Sequence, residues 1–125
     1  MLEAYSLNVT VPSDSPIPFN SVTIEKGCTA VLSAPDTIQL NKCGVYMVNV
    51  DASTATATTI QLYKDGVAQT QAISTGTSPS FSTLVQVDKN NTCCPCSSPV
   101  IVKVYNTGTA SSTFTDVNVV VTKII

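Results

Sequence analysis

Residues Cys43 to Gly66 read CGVYMVNVDASTATATTIQLYKDG, and this stretch decides the fold of the chain. Side chains of a β-strand point alternately to opposite faces. After Gly44, one face carries Val45, Met47, Asn49 and Asp51, and the other carries Tyr46, Val48, Val50 and Ala52. A run of small residues follows, after which Ile60 and Leu62 alternate with Gln61 and Tyr63. The pattern predicts two strands that run back and forth as a central hairpin, on which the other strands pack.

The dipeptide Asp65-Gly66 ends the second of these strands. Both residue types tolerate a positive φ, which two-residue hairpin turns of the primed type require. We therefore predict a tight turn here that leads directly into the next strand.

The rest of the chain consists of short alternating segments separated by residues that favour turns. Strands are predicted at 3–11, 17–24, 28–33, 37–40, 67–74, 81–87, 100–105 and 113–125, whereas 88–99 forms the longest stretch without a strand pattern. No window shows helical periodicity. The chain is predicted to be all-β, an antiparallel sandwich or closed barrel of about ten strands. A single domain covers 1–125, in which 1–16 forms an N-terminal strand and linker that is a candidate for contacts with a larger assembly or a neighbouring copy.

Composition excludes several classes of function. The six cationic residues are all lysines and are scattered, histidine is absent, and the formal net charge is −2. Clustered basic residues that mark nucleic-acid binding are therefore missing, as is the commonest general base. We expect no nucleic-acid partner, no cofactor and no enzymatic activity. Charged residues make up only 11% of the chain, which indicates that partners cover part of its surface.

Hydropathy predicts no membrane span, because no apolar run approaches the roughly 20 residues that a bilayer requires. The sequence begins MLEAY, without a basic region followed by an apolar stretch. We therefore expect no signal peptide and synthesis in a cytoplasm.

Five cysteines are predicted to gather at one end of the sandwich. If successive strands are antiparallel, their ends alternate, so Cys28, Cys43 and the loop with Cys93, Cys94 and Cys96 share an end with Met1 and Ile125. Disulfides, a tetrahedral thiolate site for zinc, and free thiols are all compatible with this grouping. The single residue between Cys94 and Cys96 is shorter than the usual spacing of zinc ligands. An odd count leaves at least one cysteine outside any internal pairing.

Four segments resemble the jelly-roll heads of the tumour necrosis factor and complement-q superfamily. They are Ile17–Asn20, Ile38–Leu40, Gly44–Tyr46, in which a Gly-x-Tyr opens a central strand, and Leu62–Gly66, a short hydrophobic strand that ends in an Asp-Gly turn. The resemblance covers most of residues 17–123. More narrowly, the chain resembles small proteins of bacteriophages and prophages of gut Firmicutes that carry such a head without a collagen stalk. The five cysteines depart from the superfamily pattern.

This resemblance implies a homotrimer of jelly-roll sandwiches that decorates a capsid as a head-fibre protein. Its partners are then the chain itself and the major capsid protein, and its location is the virion surface, after synthesis in the host cytoplasm. The end with the cysteines and termini is expected to face the capsid. Candidates for the trimer interface or the core are Tyr46, Val48, Val50, Tyr63, Tyr105, Val117, Val119 and Val121.

The alternative function is a trimeric carbohydrate- or receptor-binding module. Its contacts with host-surface glycans would come from Thr-, Ser- and Asn-rich loops at 12–16, 53–57, 75–79 and 106–112, at the end opposite the cysteines. The four tyrosines lie in predicted strands, where packing is the more ordinary role of an aromatic side chain.

Overall fold

A computed structural model describes residues 1–87 and 99–125. It contains eleven strands: β1 Leu2–Val11, β2 Ser15–Pro16, β3 Ser21–Glu25, β4 Ala30–Ala34, β5 Thr37–Leu40, β6 Gly44–Thr54, β7 Thr58–Lys64, β8 Val67–Gly76, β9 Ser80–Val87, β10 Val100–Asn106 and β11 Ser112–Lys123. The all-β prediction is confirmed, and the additional strand is the two-residue β2. The described residues contain no helix that could cross a bilayer.

The strands form two antiparallel sheets. Sheet A has the order β3-β1-β11-β6-β9, and sheet B has the order β4-β5-β10-β7-β8, with β2 paired to β10. Several strands that follow one another in the chain lie in different sheets, as do β5 and β6, β8 and β9, and β10 and β11. The result is a two-layer sandwich whose inner faces form one core.

The predicted hairpin between the two central strands is wrong. β6 pairs with β11 and β9 in sheet A, while β7 pairs with β10 and β8 in sheet B. Each strand has one apolar face, and Val48 and Val50 of β6 and Leu62 of β7 are fully buried. Placing the strands on opposite sides of the core lets these faces meet, and residues 55–57 cross between the sheets.

The core is built from the inner faces of the two sheets, where large apolar side chains have no exposed surface. Burial of these side chains is the main stabilising contribution to such a fold. Six of the interface-or-core candidates lie here with no exposed surface, namely Tyr46, Val48, Val50, Val117, Val119 and Val121. The three valines of β11 pair with β1 and β6, so β11 occupies the middle of sheet A.

The strand predicted at 17–24 is shorter in the structure, since β3 begins at Ser21. Proline has no N–H to donate to a ladder, and Pro16 and Pro18 precede β3. The intervening residues are fixed individually: the N–H of Ile17 donates to the Val104 carbonyl oxygen at 2.7 Å, and that of Phe19 donates to the Pro35 carbonyl oxygen at 2.7 Å. Both side chains are buried in the core.

Strand register confirms the predicted grouping at the cysteine end for the described residues. Leu2 pairs with Val121 and Gly44 pairs with Val87, while the Asn41 amide donates to the Cys28 carbonyl oxygen at 2.9 Å. Predictions for residues 88–98, including Cys93, Cys94, Cys96 and most of the long loop, lie outside the described residues.

The opposite end of the sandwich gathers the loops predicted to share it. The Asp14 N–H donates to the Asn106 carbonyl oxygen at 2.7 Å, and the Thr54 N–H donates to the Thr77 carbonyl oxygen at 2.8 Å. This end is therefore bound together by loop-to-loop hydrogen bonds.

Candidate functional site

The Asp65-Gly66 turn joins β7 to β8 as predicted. Lys64 pairs directly with Val67, and Asp65 and Gly66 have φ angles of 49° and 80°, the positive values that a primed turn requires. The turn is also attached to β10: Asp65 donates its N–H to the Ile101 carbonyl oxygen at 2.8 Å, and its Oδ1 accepts the Ile101 N–H at 2.9 Å. One carboxylate oxygen thus anchors the turn to sheet B.

Two tyrosines lie beside this turn on the outer face of sheet B. Lys103 pairs with Tyr63 and Tyr105 pairs with Gln61, so Tyr63 and Tyr105 are diagonal neighbours on the same face. Their ring centroids are 4.2 Å apart with an interplanar angle of 35°. Both rings are partly exposed. These two interface-or-core candidates therefore lie outside the core, in contrast to the six valine and tyrosine candidates above.

The outer face of sheet B forms a hollow of about 370 Å³ around this tyrosine pair. We call it the tyrosine hollow, and it is lined by Tyr63, Asp65, Gly66, Ile101, Lys103 and Tyr105. Sequence reasoning missed it because β7 and β10 are distant in the chain and nothing in their alternation identifies them as neighbours. The available signal was a tyrosine on the outer face of each strand, Tyr63 in β7 and Tyr105 in β10.

A second surface lies on the outer face of sheet A, where apolar side chains are exposed in adjacent positions. Met47 of β6 pairs with Leu84 of β9 and with Thr122 of β11, and Met47 and Leu84 are 37% and 55% exposed. We call this surface the sheet A patch. Its members are Val45, Met47, Leu84, Val120 and Ile124.

Two acidic residues adjoin the sheet A patch. Glu3 pairs with Val120, and Asp51 pairs with Asn118 and Ser80. Asp51 is exposed, so its side chain points away from the core of its own chain.

The described cysteines differ in state. Cys28 is an exposed free thiol, whereas Cys43 is 6% exposed and disulfide-bonded. Cys28 therefore forms no disulfide within the described residues. Within the described ranges, no three Cys, His, Asp or Glu side chains are grouped to hold a metal. The thiolate-site hypothesis includes three cysteines beyond those ranges and stays a prediction.

No protein-family model matches the sequence, and no curated protein matches it. Solved structures do match in fold. The globular domain of the zebrafish complement 1qA protein aligns with a TM-score of 0.71 at 10% identity, over 99% of this chain and 96% of that one. Murine APRIL aligns at 0.62 and 12% identity, over 98% of each chain. Eiger TNF from S. frugiperda aligns at 0.59 and 12% identity, over 99% of this chain and 92% of that one.

The chain has the jelly-roll fold of these proteins. This confirms the fold class predicted from the sequence. The alignments span nearly the whole length of both partners, so the shared fold covers the complete sandwich and not one sheet of it. Because fold alone does not determine function, the function has to be inferred from the surfaces of this chain.

Proposed function

We propose that the chain is a non-enzymatic homotrimeric head that decorates the outer surface of a bacteriophage capsid. The proposal combines the sequence resemblance to phage head-fibre proteins with one observation on the described residues, which is the exposed sheet A patch.

Self-association is supported by where the apolar surface lies. Leu84 is 55% exposed and Met47 is 37% exposed, although they are direct ladder partners in a regular sheet. Adjacent exposed apolar side chains of this kind mark interaction surfaces, and obligate interfaces are the most apolar class. Three copies around a three-fold axis bury the patch in a closed ring.

The charges beside the sheet A patch disfavour a strongly anionic partner at this face. Glu3 and Asp51 adjoin the sheet A patch, while the chain as a whole has a net charge of −2. An anionic partner would meet repulsion at this face, whereas the apolar centre of the patch carries no charge of its own.

Attachment to a capsid is supported by the sequence resemblance and by the geometry of the ends. Strands β1, β6 and β11 place the chain termini and Cys43 at one end of the sandwich. We propose that this end faces the major capsid protein and that the opposite end, with its loops, points outward. The protein then resides on the virion after synthesis in the host cytoplasm.

Light scattering on the purified chain tests self-association. The wild type is expected at about three times the 13.1 kDa of one chain. Leu84→Asp places a charge in the sheet A patch and is expected to lower the mass towards one chain. Ile73→Asp is the matched control, because Ile73 is 46% exposed on sheet B and its substitution should leave the trimer intact. A monomeric wild type overturns the trimer.

Particle purification tests the capsid role separately. Virions produced from the genome that encodes the chain are expected to contain it, and a major capsid gene is expected beside its own. A trimeric protein that is absent from such virions contradicts the capsid role and favours the alternative, a trimeric carbohydrate- or receptor-binding module.

A further inference from the structure

We propose that the tyrosine hollow on sheet B is a binding site for a neutral saccharide. This inference concerns a surface different from the sheet A patch, and it does not depend on attachment to a capsid. It rests on the arrangement of an aromatic pair, two opposite charges and unused hydrogen-bonding groups around one concave surface.

The hollow presents an aromatic surface that a sugar ring can cover. Tyr63 and Tyr105 stack with centroids 4.2 Å apart and the rings tilted by 35°. The ring faces that meet cover each other, so a ligand contacts the outer faces and edges of this partly exposed pair. Ile101 adds an aliphatic side chain to the lining. Ligand sites typically combine an apolar lining with a few placed polar groups, and the C–H face of a pyranose suits an aromatic ring.

Polar groups surround this apolar surface, and most of them are not used by the rest of the fold. Within the described residues, neither the phenol hydroxyls of Tyr63 and Tyr105 nor the Lys103 ammonium makes a hydrogen bond to protein. The Asp65 carboxylate uses Oδ1 to accept the Ile101 N–H at 2.9 Å and has Oδ2 left for a ligand. Hydroxyl, ammonium and carboxylate groups together provide both donors and acceptors.

The balance of charge selects among ligand classes. Lys103 and Asp65 bring one positive and one negative charge to the same hollow, so neither an anion nor a cation is favoured overall. An entirely apolar ligand would leave both charges desolvated without partners, which is costly. A hydroxylated neutral ring has a hydroxyl for each group and an apolar face for the tyrosines.

The position of the hollow makes it compatible with a trimer. It lies on sheet B, whereas the sheet A patch lies on the opposite layer of the sandwich. Three copies that associate through sheet A would present three equivalent hollows outward. Weak individual sites of this kind gain avidity on a surface that displays many sugars.

An NMR titration of tyrosine-labelled protein tests the proposal. The probes are the methyl glycosides of glucose, galactose, N-acetylglucosamine and N-acetylgalactosamine. At least one probe is expected to shift the ring signals of Tyr63 and Tyr105 and to leave those of Tyr46 unchanged, because Tyr46 is fully buried in the core. The Tyr105→Leu variant is expected to weaken binding about tenfold or more, and Lys103→Gln is expected to weaken it less.

Tyr5→Leu is the control, since Tyr5 is a partly exposed tyrosine on sheet A, and it should retain full affinity. Light scattering on the same samples shows whether a variant has lost its trimer rather than its site. The proposal is overturned if no probe moves either ring at tens of millimolar, or if Tyr105→Leu binds as the wild type does. Binding of a proline-rich peptide at this hollow, with no saccharide binding, also overturns it.

Discussion

The Thr58 hydroxyl donates a hydrogen bond of 2.7 Å to the side-chain oxygen of Asn106, and both residues are buried. Asn106 uses the other half of its amide as well, donating to the carbonyl oxygens of Val11 at 3.0 Å and Ala110 at 3.3 Å. One fully buried side chain thereby connects β7 and β10 with the end of β1 and the loop before β11. A buried polar group is stabilising only while its partners are present.

Replacement of Asn106 by alanine should therefore be strongly destabilising. The substitution leaves the Val11 and Ala110 carbonyl oxygens without this donor and the Thr58 hydroxyl without its acceptor. We expect the free energy of unfolding in urea to fall by about 2–4 kcal/mol. The matched control is Asn20→Ala, at an exposed position, which should change stability by less than about 0.5 kcal/mol. Equal losses in the two variants would contradict this role of Asn106.

Gly108 lies against the same hydrogen bond, and this permits a double-mutant test. A Cβ at Gly108 would lie 2.3 Å from Thr58 Oγ1 and 3.1 Å from Asn106 Oδ1. Gly108→Ala should therefore destabilise the wild type, by about 1–3 kcal/mol, because the Thr58 hydroxyl has to move. Thr58→Ala removes the atom that clashes, so Gly108→Ala should cost less in that background. Additive losses across the four proteins would show that the two sites are not coupled.

The burial of Tyr46 leads us to expect that the folded protein loses stability at alkaline pH. The Tyr46 hydroxyl donates to the Lys42 carbonyl oxygen at 2.8 Å and accepts the Lys42 N–H at 3.3 Å. Burial raises the pKa of Tyr46 above its ordinary value of 10.0, although the hydrogen bond from the Lys42 N–H opposes this shift. The folded protein therefore keeps the phenol protonated at a pH at which the unfolded chain releases the proton. The stabilisation is complete below about pH 10 and declines as the pH rises through the folded pKa.

Tyr46→Phe tests this pH dependence, since phenylalanine fills the same space and does not titrate. At about pH 8 the wild type should be more stable by about 1–2 kcal/mol, because the variant lacks the hydroxyl's hydrogen bonds. Urea unfolding at about pH 11 should show a smaller difference between the two proteins. A difference that stays constant or widens with pH would contradict the burial argument.

Substitutions in the turn between β7 and β8 separate the effect of backbone strain at Gly66 from the effect of the charge at Asp65. Gly66 has a φ of 80° and an added Cβ would meet nothing within 4 Å, so Gly66→Ala should cost about 1–2 kcal/mol through backbone strain alone. Asp65→Asn should change the free energy of unfolding by less than about 0.5 kcal/mol, because asparagine tolerates a positive φ and retains an oxygen for the Ile101 N–H. Thermal unfolding of both variants checks the contrast, which fails if Asp65→Asn is the more destabilising change.

The faces of individual strands could be predicted from the sequence, but their neighbours could not. Alternation records which side chains avoid water, and for β6 it correctly separated Tyr46, Val48 and Val50 from the outward Met47. It does not record which strand lies alongside. The strands β6 and β7 have only residues 55–57 between them, which suits a hairpin as well as a crossing between sheets.

The tyrosine hollow could not be predicted for the same reason, because the sequence does not show which strands are neighbours. It forms only because β7 and β10 pair in a register that brings Tyr63 and Tyr105 to diagonal positions. The Asp65-Gly66 turn, in contrast, was predictable because its geometry depends on two adjacent residues and not on a distant strand.

The central position of β11 in sheet A has a consequence for biosynthesis. β11 lies between β1 and β6, so the middle of that sheet is filled by the strand that leaves the ribosome after all the others. Until Ser112–Lys123 emerges, β1 and β6 each expose an unpaired edge that can recruit a strand from another nascent chain. Completion of the sandwich must therefore await Ser112–Lys123. Expression should yield the most folded protein where a low rate of synthesis or a holding chaperone keeps the exposed edges of different chains apart.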